Sequence, residues 1–499
     1  MIKKIFLVLL VCPLVTLSQR ITYSQPESED TRSLDFEVVG KVGGNFLVYK
    51  NIRNRYAVSV YDDDMNLKER NELDLPEKIM NADFIVYPDF FYLIYQYQKK
   101  STLRCMAIKI DGNGKRIGEP IQLDTTHIGF FTDNKIYSSI NSEDRQKIMI
   151  YKIQKKNDRA YFTTVLFNSK LALLHTSRLE LPFEEHKDGY SDFLLDNEGN
   201  LLFTQSERAS SREVISKLNL VTKAATADNF VISDVDLKGQ FLDDVMLKVD
   251  NVNRRYLLNS FYYKQRRGNI QGLYTMVWDN QSSKAFIHTM TEFDDTLKRQ
   301  VKTEGSSKLA FNDFFIRNII LKKDGSFIMA AEDFNTQSRA TPWNRMDYLY
   351  GYPYNPSFDY YQNSPSSYWF RSRSFNSSSQ TRYFYNNIVV MNVDRDGKLS
   401  WADVVHKEQY DDENDNYLSY QVVNAGGELH FLFNELERRN ELLSDQSITA
   451  DGQLTRNPTL KSLDKGYDFM PKYGKQVSAK QIIVPCTYRN YICFAKIDF

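Results

Sequence analysis

One phrase returns along the whole chain: an aspartate, an aromatic residue, alternating apolar positions, a turn, then a second apolar run. It reads Asp35-Phe36-Glu37-Val38, Asp83-Phe84-Ile85-Val86, Asp192-Phe193-Leu194-Leu195, Asp313-Phe314-Phe315-Ile316 and Asp468-Phe469. Copies at Asp133 and Asp244 keep the aspartate and lose the aromatic, and Ser419-Tyr420-Gln421-Val422 keeps only the aromatic. Most copies recur at intervals of roughly 50 residues, a period that belongs to stacked or radial repeat architectures. A chain of 499 residues would otherwise suggest about three domains. An end-to-end repeat replaces that expectation with a single domain.

The segments between copies have the punctuation of antiparallel strands. Gly43-Gly44-Asn45, Asn197-Glu198-Gly199-Asn200, Asp324-Gly325 and Gly426-Gly427 are hairpin turns between apolar runs. Third runs end in polar turns at Asp62, Asp111, Asn168, Asn219, Asp279, Asp394, Asp451 and Asp498, and a fourth, more polar run follows most of them. Four antiparallel strands per repeat without a sustained helical period is the blade of a β-propeller. The eight third-strand ends predict eight blades, or seven if the poorly patterned stretch from His127 to Pro182 is misdivided. The last run, Cys493 to Asp498, lines up with the third strand of the second repeat, so the final blade lacks a fourth strand. The segment Arg20 to Gln25 has β character and no repeat of its own, and pairing it with the last run would close the ring and remove two free sheet edges. In this architecture, over nearly the whole mature chain, the sequence resembles a secreted bacterial β-propeller repeat protein; it matches no characterised enzyme family.

The expectation of secretion rests on the first residues. Lys3 and Lys4 precede the apolar run Ile5 to Leu17, with Thr16 and Ser18 at its end, the pattern of a signal peptide. This divides the chain into a signal peptide at 1–18 and one propeller domain at 19–499, exported to the periplasm, cell surface or exterior. The run is too short to span a bilayer, and no later stretch is long enough, so the mature chain is expected to carry no transmembrane segment. Cys12 follows Val11 rather than a small residue, which favours ordinary cleavage over lipid attachment at Cys12. Cys105, Cys486 and Cys493 are too few for a disulfide framework. A turn at Arg489-Asn490 places Cys486 opposite Cys493, and we read them as buried thiols.

Lysine plus arginine and aspartate plus glutamate both number 64, so no net field draws the protein to nucleic acid. No HExxH, CxxC, Gly-x-Ser-x-Gly or phosphate-loop pattern is present in the sequence. The repeated aspartates Asp35, Asp83, Asp133, Asp192, Asp244, Asp313 and Asp468 would ring one mouth of a central channel, where they could hold Ca²⁺ through oxygen ligands. A residue repeated in every blade more often builds the blade, so they are read as structural, accepting N–H groups of their own turns, with no cofactor required. The Asp-rich triplet at Asp62 and the Asp394-to-Gly397 segment are likewise read as turns.

One interval is too long. A Tyr/Asn/Ser-rich insertion at about 336–382 interrupts the second hairpin of the sixth blade, and loops of such length are usually functional or disordered. Trp343, Tyr348, Tyr350, Tyr352, Tyr354, Tyr360, Tyr361, Tyr368 and Trp369 offer amphipathic rings, and Arg345 and Arg371 hydrogen-bonding forks, for a protein or glycan partner. The expected function is therefore an exported, monomeric, non-catalytic scaffold that binds a protein or surface polymer; the alternative is a propeller hydrolase or lyase acting on polysaccharide.

Overall fold

The computed structural model describes residues 20–27, 34–76, 78–128, 136–184, 187–210, 213–280, 284–302, 310–338, 343–350, 381–412, 414–437, 440–457 and 466–499. The signal segment, Asp133 and residues 351–380 of the insertion lie outside this set.

Every blade follows from the alternation read above. Blade 1 comprises Leu34–Val42, Asn45–Ile52, Arg55–Tyr61 and Leu67–Glu72, paired antiparallel in that order. Its inner strands are buried on both faces, whereas the outermost reads Leu-Lys-Glu-Arg-Asn-Glu and is almost wholly exposed. Blades 2 and 3, beginning at Asn81 and Tyr137, repeat the order, as do blade 6 from Phe314 and blade 7 from Tyr420. Blades 4 and 5, beginning at Asp188 and Phe241, share one hydrogen-bonded sheet only because Ile215 bridges to Leu242; each has its own four strands. Within the stretch from His127 to Pro182, His127 ends the fourth strand of blade 2 and Tyr137 to Pro182 form blade 3, so the described residues make eight blades. Asn219, read as a strand end, instead sits within Ile215–Lys223.

Apolar side chains close the ring. One cluster joins blades 1 and 2 through Tyr49, Phe84 and Phe91, and another joins blades 2 and 3 through Ile94, Tyr137 and Ile150. Further clusters join each following pair in turn. The last packs Met470, Ile492 and Phe494 of blade 8 against Leu34, Phe36 and Tyr61 of blade 1. Eight blades joined pairwise back to the first make a closed β-propeller.

The N-terminal segment completes blade 8 as expected. Arg20–Tyr23 pairs antiparallel with Tyr491–Asp498, from Arg20 opposite Asp498 to Tyr23 opposite Ala495. Ser24 extends the seam by donating its N–H to Phe494 O at 2.9 Å and accepting the Phe494 N–H on Oγ at 3.0 Å. Glu27 then takes the ammonium of Lys50 and the hydroxyl of Tyr61, two groups buried in blade 1. Blade 8 has a broken inner strand: Tyr467–Phe469 and Lys475–Ser478 flank the 3₁₀ turn Pro471–Tyr473. Pro485 of the neighbouring strand, which has no N–H to donate, stands at this break and accepts the Met470 N–H on its carbonyl. Cys486 and Cys493 face each other across the next hairpin as buried thiols, with sulfurs 2.9 Å apart.

The turn aspartates act on their own backbone. Asp62 Oδ1 accepts the N–H groups of Asp64 and Asn66, and Asp394 Oδ1 those of Asp396 and Lys398. Short acidic side chains placed this way satisfy amides that the ladder leaves over.

Candidate functional site at the channel

Inner strands of blades 1 to 5 and 8 surround a cavity of about 1300 Å³ at the centre of the ring. Blade 3 widens it. Its inner strand, Tyr137–Asn141, is only five residues long, while the paired Lys147–Lys156 continues past it. Residues 153–156 of that longer strand, with Tyr161 behind them, therefore line the cavity.

The lining is strongly cationic for a chain without net charge. Lys41, Arg145, Lys152, Lys155, Lys156, Lys248 and Lys475 contribute side chains, against Glu143 and Asp192. Several cations are already matched: Lys152 to Asp124 at 2.8 Å, Lys41 to Asp63 at 3.1 Å, and Lys475 to Glu37 at 3.4 Å. Arg145 donates to the Val86 carbonyl, and neither it, Lys156 nor Lys248 has a carboxylate within salt-bridge distance among the described residues. Burial holds Lys248 below the usual lysine range, opposed by the charge of Glu143. Burial also raises Asp192 well above the ordinary carboxylate range, reinforced by nearby Asp244. Tyr87, Tyr161 and Phe193 add partly exposed ring faces, and Phe193 stacks on Tyr151 with centroids 4.7 Å apart.

The repeated aspartates sit on or beside inner strands, and several of them bond across to a neighbouring strand or blade. Asp83 accepts the Ser139 hydroxyl of blade 3 at 2.6 Å, and Asp35 the Asn51 amide of the paired strand at 3.3 Å. Asp313 accepts the indole N–H of Trp343 at 2.9 Å. Burial raises Asp468, and Asp244 gives its backbone carbonyl to the Ser260 hydroxyl. Of the six described aspartates, only Asp192 lines the cavity.

The insertion begins later than its composition suggests. The strands Phe327–Ser338 and Thr381–Val393 remain paired to Ser338 opposite Thr381, so its first and last residues extend the hairpin. Trp343 and Arg345 turn into the propeller. Trp343 packs edge-on to Phe315 and Phe334. Arg345 is buried; its Nε donates to Asp243 Oδ1 at 3.0 Å, its Nη1 to Asn312 O at 3.0 Å, and its guanidinium lies 3.8 Å from the Phe315 ring centre. With those donors engaged, the two residues anchor the insertion and present no binding fork. Tyr348 and Tyr350 belong to the short helix Arg345–Tyr350. Tyr352, Tyr354, Tyr360, Tyr361, Tyr368, Trp369 and Arg371 lie outside the described residues.

No protein-family model and no curated protein matches the chain. Among solved structures it is similar to a family PL25 ulvan lyase bound to -[GlcA(1-4)Rha3S]-, at 11% identity over 83% of this chain and 90% of that one, with a TM-score of 0.37. It is also similar to the Dos1 propeller, at 9% identity over 94% and 97% with a TM-score of 0.40. The β-propeller domain of the trilobed protease from Pyrococcus furiosus matches at 7% identity over 84% and 95%, with a TM-score of 0.36. Likeness at this level transfers no function. Among the described residues, no helix is long and apolar enough to cross a membrane.

Proposed function

We propose that this protein is an exported, non-catalytic binding scaffold whose central channel takes a segment of anionic surface polysaccharide. One observation carries the reading: seven cationic side chains line the cavity of a chain with zero formal charge, and three of them have no carboxylate partner among the described residues. Cations gathered in a cleft with low-dielectric walls focus potential on an anionic ligand far more than a neutral total implies. The aromatic faces of Tyr87, Tyr161 and Phe193 suit sugar rings, which have one apolar face and polar edges.

Binding of polygalacturonate, dextran sulfate and neutral dextran by calorimetry tests the reading. The two polyanions should bind and neutral dextran should not, and Arg145→Glu with Lys156→Glu should abolish binding without lowering the melting temperature. Equal binding of neutral dextran, or no effect of charge reversal, refutes it; preference for single-stranded DNA would assign the channel to another class of polyanion. A polysaccharide lyase or hydrolase remains the second reading because Asp192, in the cavity wall, has its carboxyl raised by burial and by a second acid, Asp244. Release of reducing ends or unsaturated sugars from bound polymer would establish it.

A further inference from the structure

We infer that Cys486 and Cys493 are a site of covalent modification, joined by a disulfide in the exported protein that locks the last hairpin of the ring. The inference goes beyond the binding role proposed above and rests on the export that it assumes.

The strand register brings the pair together. Gln481–Tyr488 and Tyr491–Asp498 form a hairpin around Arg489-Asn490, with Tyr488 opposite Tyr491 and Cys486 opposite Cys493. Phe494 gives its N–H and carbonyl to Ser24 on the outer side of its strand, so the backbone of Cys493 is turned toward Cys486. Opposite residues that face each other in this way have Cα atoms about 5.5 Å apart, within the roughly 4.4 to 6.8 Å that a disulfide spans. The side chains complete the approach: the sulfurs are 2.9 Å apart, and the Cys493 thiol donates to the Cys486 carbonyl at 3.2 Å. A bond of about 2.05 Å then asks for only a small rotation of each side chain. Disulfides form and persist in oxidising compartments, which export supplies.

The position gives such a bond something to hold. Pro485, next to Cys486, has no N–H for the ladder, and the inner strand beside it is broken at Pro471–Tyr473. Cys493 directly precedes Phe494, the residue that bonds the N-terminal segment. A covalent link here keeps the final hairpin in register where the ring closes.

Both cysteines are fully buried, in one cluster with Val423 and Leu432 of blade 7 and Ile21 and Tyr23 of the closing segment. Burial raises Cys486 well above the ordinary thiol range, and the thiolate is the reactive form, so oxidation precedes closure. A thiolate of the open hairpin attacks the disulfide of a thiol–disulfide oxidoreductase in the exporting compartment and forms a mixed disulfide. The second thiolate attacks the sulfur of this chain in that link; the Cys486–Cys493 bond forms, and the oxidoreductase leaves as a dithiol carrying both electrons and both protons. Cys105 belongs to the cluster between blades 2 and 3, away from the pair, and stays a thiol.

The test uses the mature chain recovered from the exporting compartment, unfolded in guanidinium with iodoacetamide before any reductant, and weighed intact. It should carry one label, at Cys105, and three labels when reduction precedes alkylation. Trypsin cuts after Lys480, Arg489 and Lys496, so residues 481–489 and 490–496 fall in separate peptides. Those peptides should run as one mass without reductant and as two with it. Three labels on unreduced mature chain, or peptides that never run joined, would overturn the inference. If the chain is instead found inside the cell with residues 1–18 attached, the export reading falls, and refolding the 19–499 chain with oxidised glutathione decides: joined peptides support the pairing, and separate ones overturn it.

Discussion

Replacing Glu37 with glutamine should make the protein more stable in alkaline solution and leave it nearly unchanged in acid. Glu37 is buried in the inner strand of blade 1; Lys475 approaches Oε1 at 3.4 Å and Oε2 has no hydrogen-bond partner among the described residues. Burial is the main cause that raises its pKa from 4.5 to about 7, with Lys475 pulling down and Asp83 pushing up. For an acid with a raised folded-state pKa, both states are protonated below pH 4.5 and no penalty arises. Between 4.5 and 7 the unfolded chain ionises first, so the folded state binds more protons and stability falls as pH rises. Above 7 the loss is complete, at roughly 3 kcal/mol. Unfolding entropy near 2.1 cal/mol/K per residue amounts to about 1 kcal/mol/K for a chain of this size, so the loss corresponds to a melting-temperature difference of about 3 °C. Melting temperatures of wild type and Glu37→Gln, measured by scanning fluorimetry from pH 4 to 8.5, isolate this group because the other titrations are common to both. The difference should be near zero at pH 4 and grow in favour of the variant to pH 8. A difference independent of pH, or one favouring wild type at pH 8, would refute the reasoning.

Three further outcomes are expected. Arg345→Met leaves Asp243 buried without its cation and should cost about 3–5 kcal/mol in denaturant unfolding, with Arg345→Met/Asp243→Asn recovering part of the loss; a single variant as stable as wild type would remove the anchoring role. Deleting residues 20–27 opens an edge on blade 8 and should lower the melting temperature and produce oligomers in size-exclusion chromatography; an unchanged monomer would count against closure by this segment. Replacing residues 351–380 with a glycine-serine link should leave the melting temperature within a few degrees, since the paired hairpin and the Trp343–Arg345 anchor remain and loop entropy changes slowly with length; unfolding would make the insertion part of the scaffold.

The parts legible in the sequence were those written in local order. Alternation and turn residues reveal strands wherever they occur, so the Asp-aromatic phrase marked inner strands and the orphan segment at Arg20 marked the closing one. The site depends on what lies far apart in sequence. Lys41, Arg145, Lys248 and Lys475 meet only when the ring forms, and a formal charge of zero hides their convergence. Two local hints existed: the Lys152-Ile153-Gln154-Lys155-Lys156 run, and Lys248 alone among Val245, Met246, Leu247 and Val249. Arg345 misled for the same reason, because its partner Asp243 is 102 residues away and composition alone made it look available.

The seam between Arg20–Tyr23 and Tyr491–Asp498 imposes an order of events during biosynthesis. Ser24 and Phe494 bond across 470 residues, so the strand Arg20–Tyr23 has no partner until Tyr491–Asp498 has been made. Blades 1 to 7 can pack on their predecessors as they appear, whereas blade 8 and the blade 8–blade 1 cluster can form only at the end. Until then blade 1 exposes Leu34, Phe36 and Tyr61, and the waiting strand is an unpaired edge. The slow step in making this protein should therefore be a single ring-closing event of very high contact order, and a holdase that shields the first 60 residues should raise yield more than one acting anywhere else.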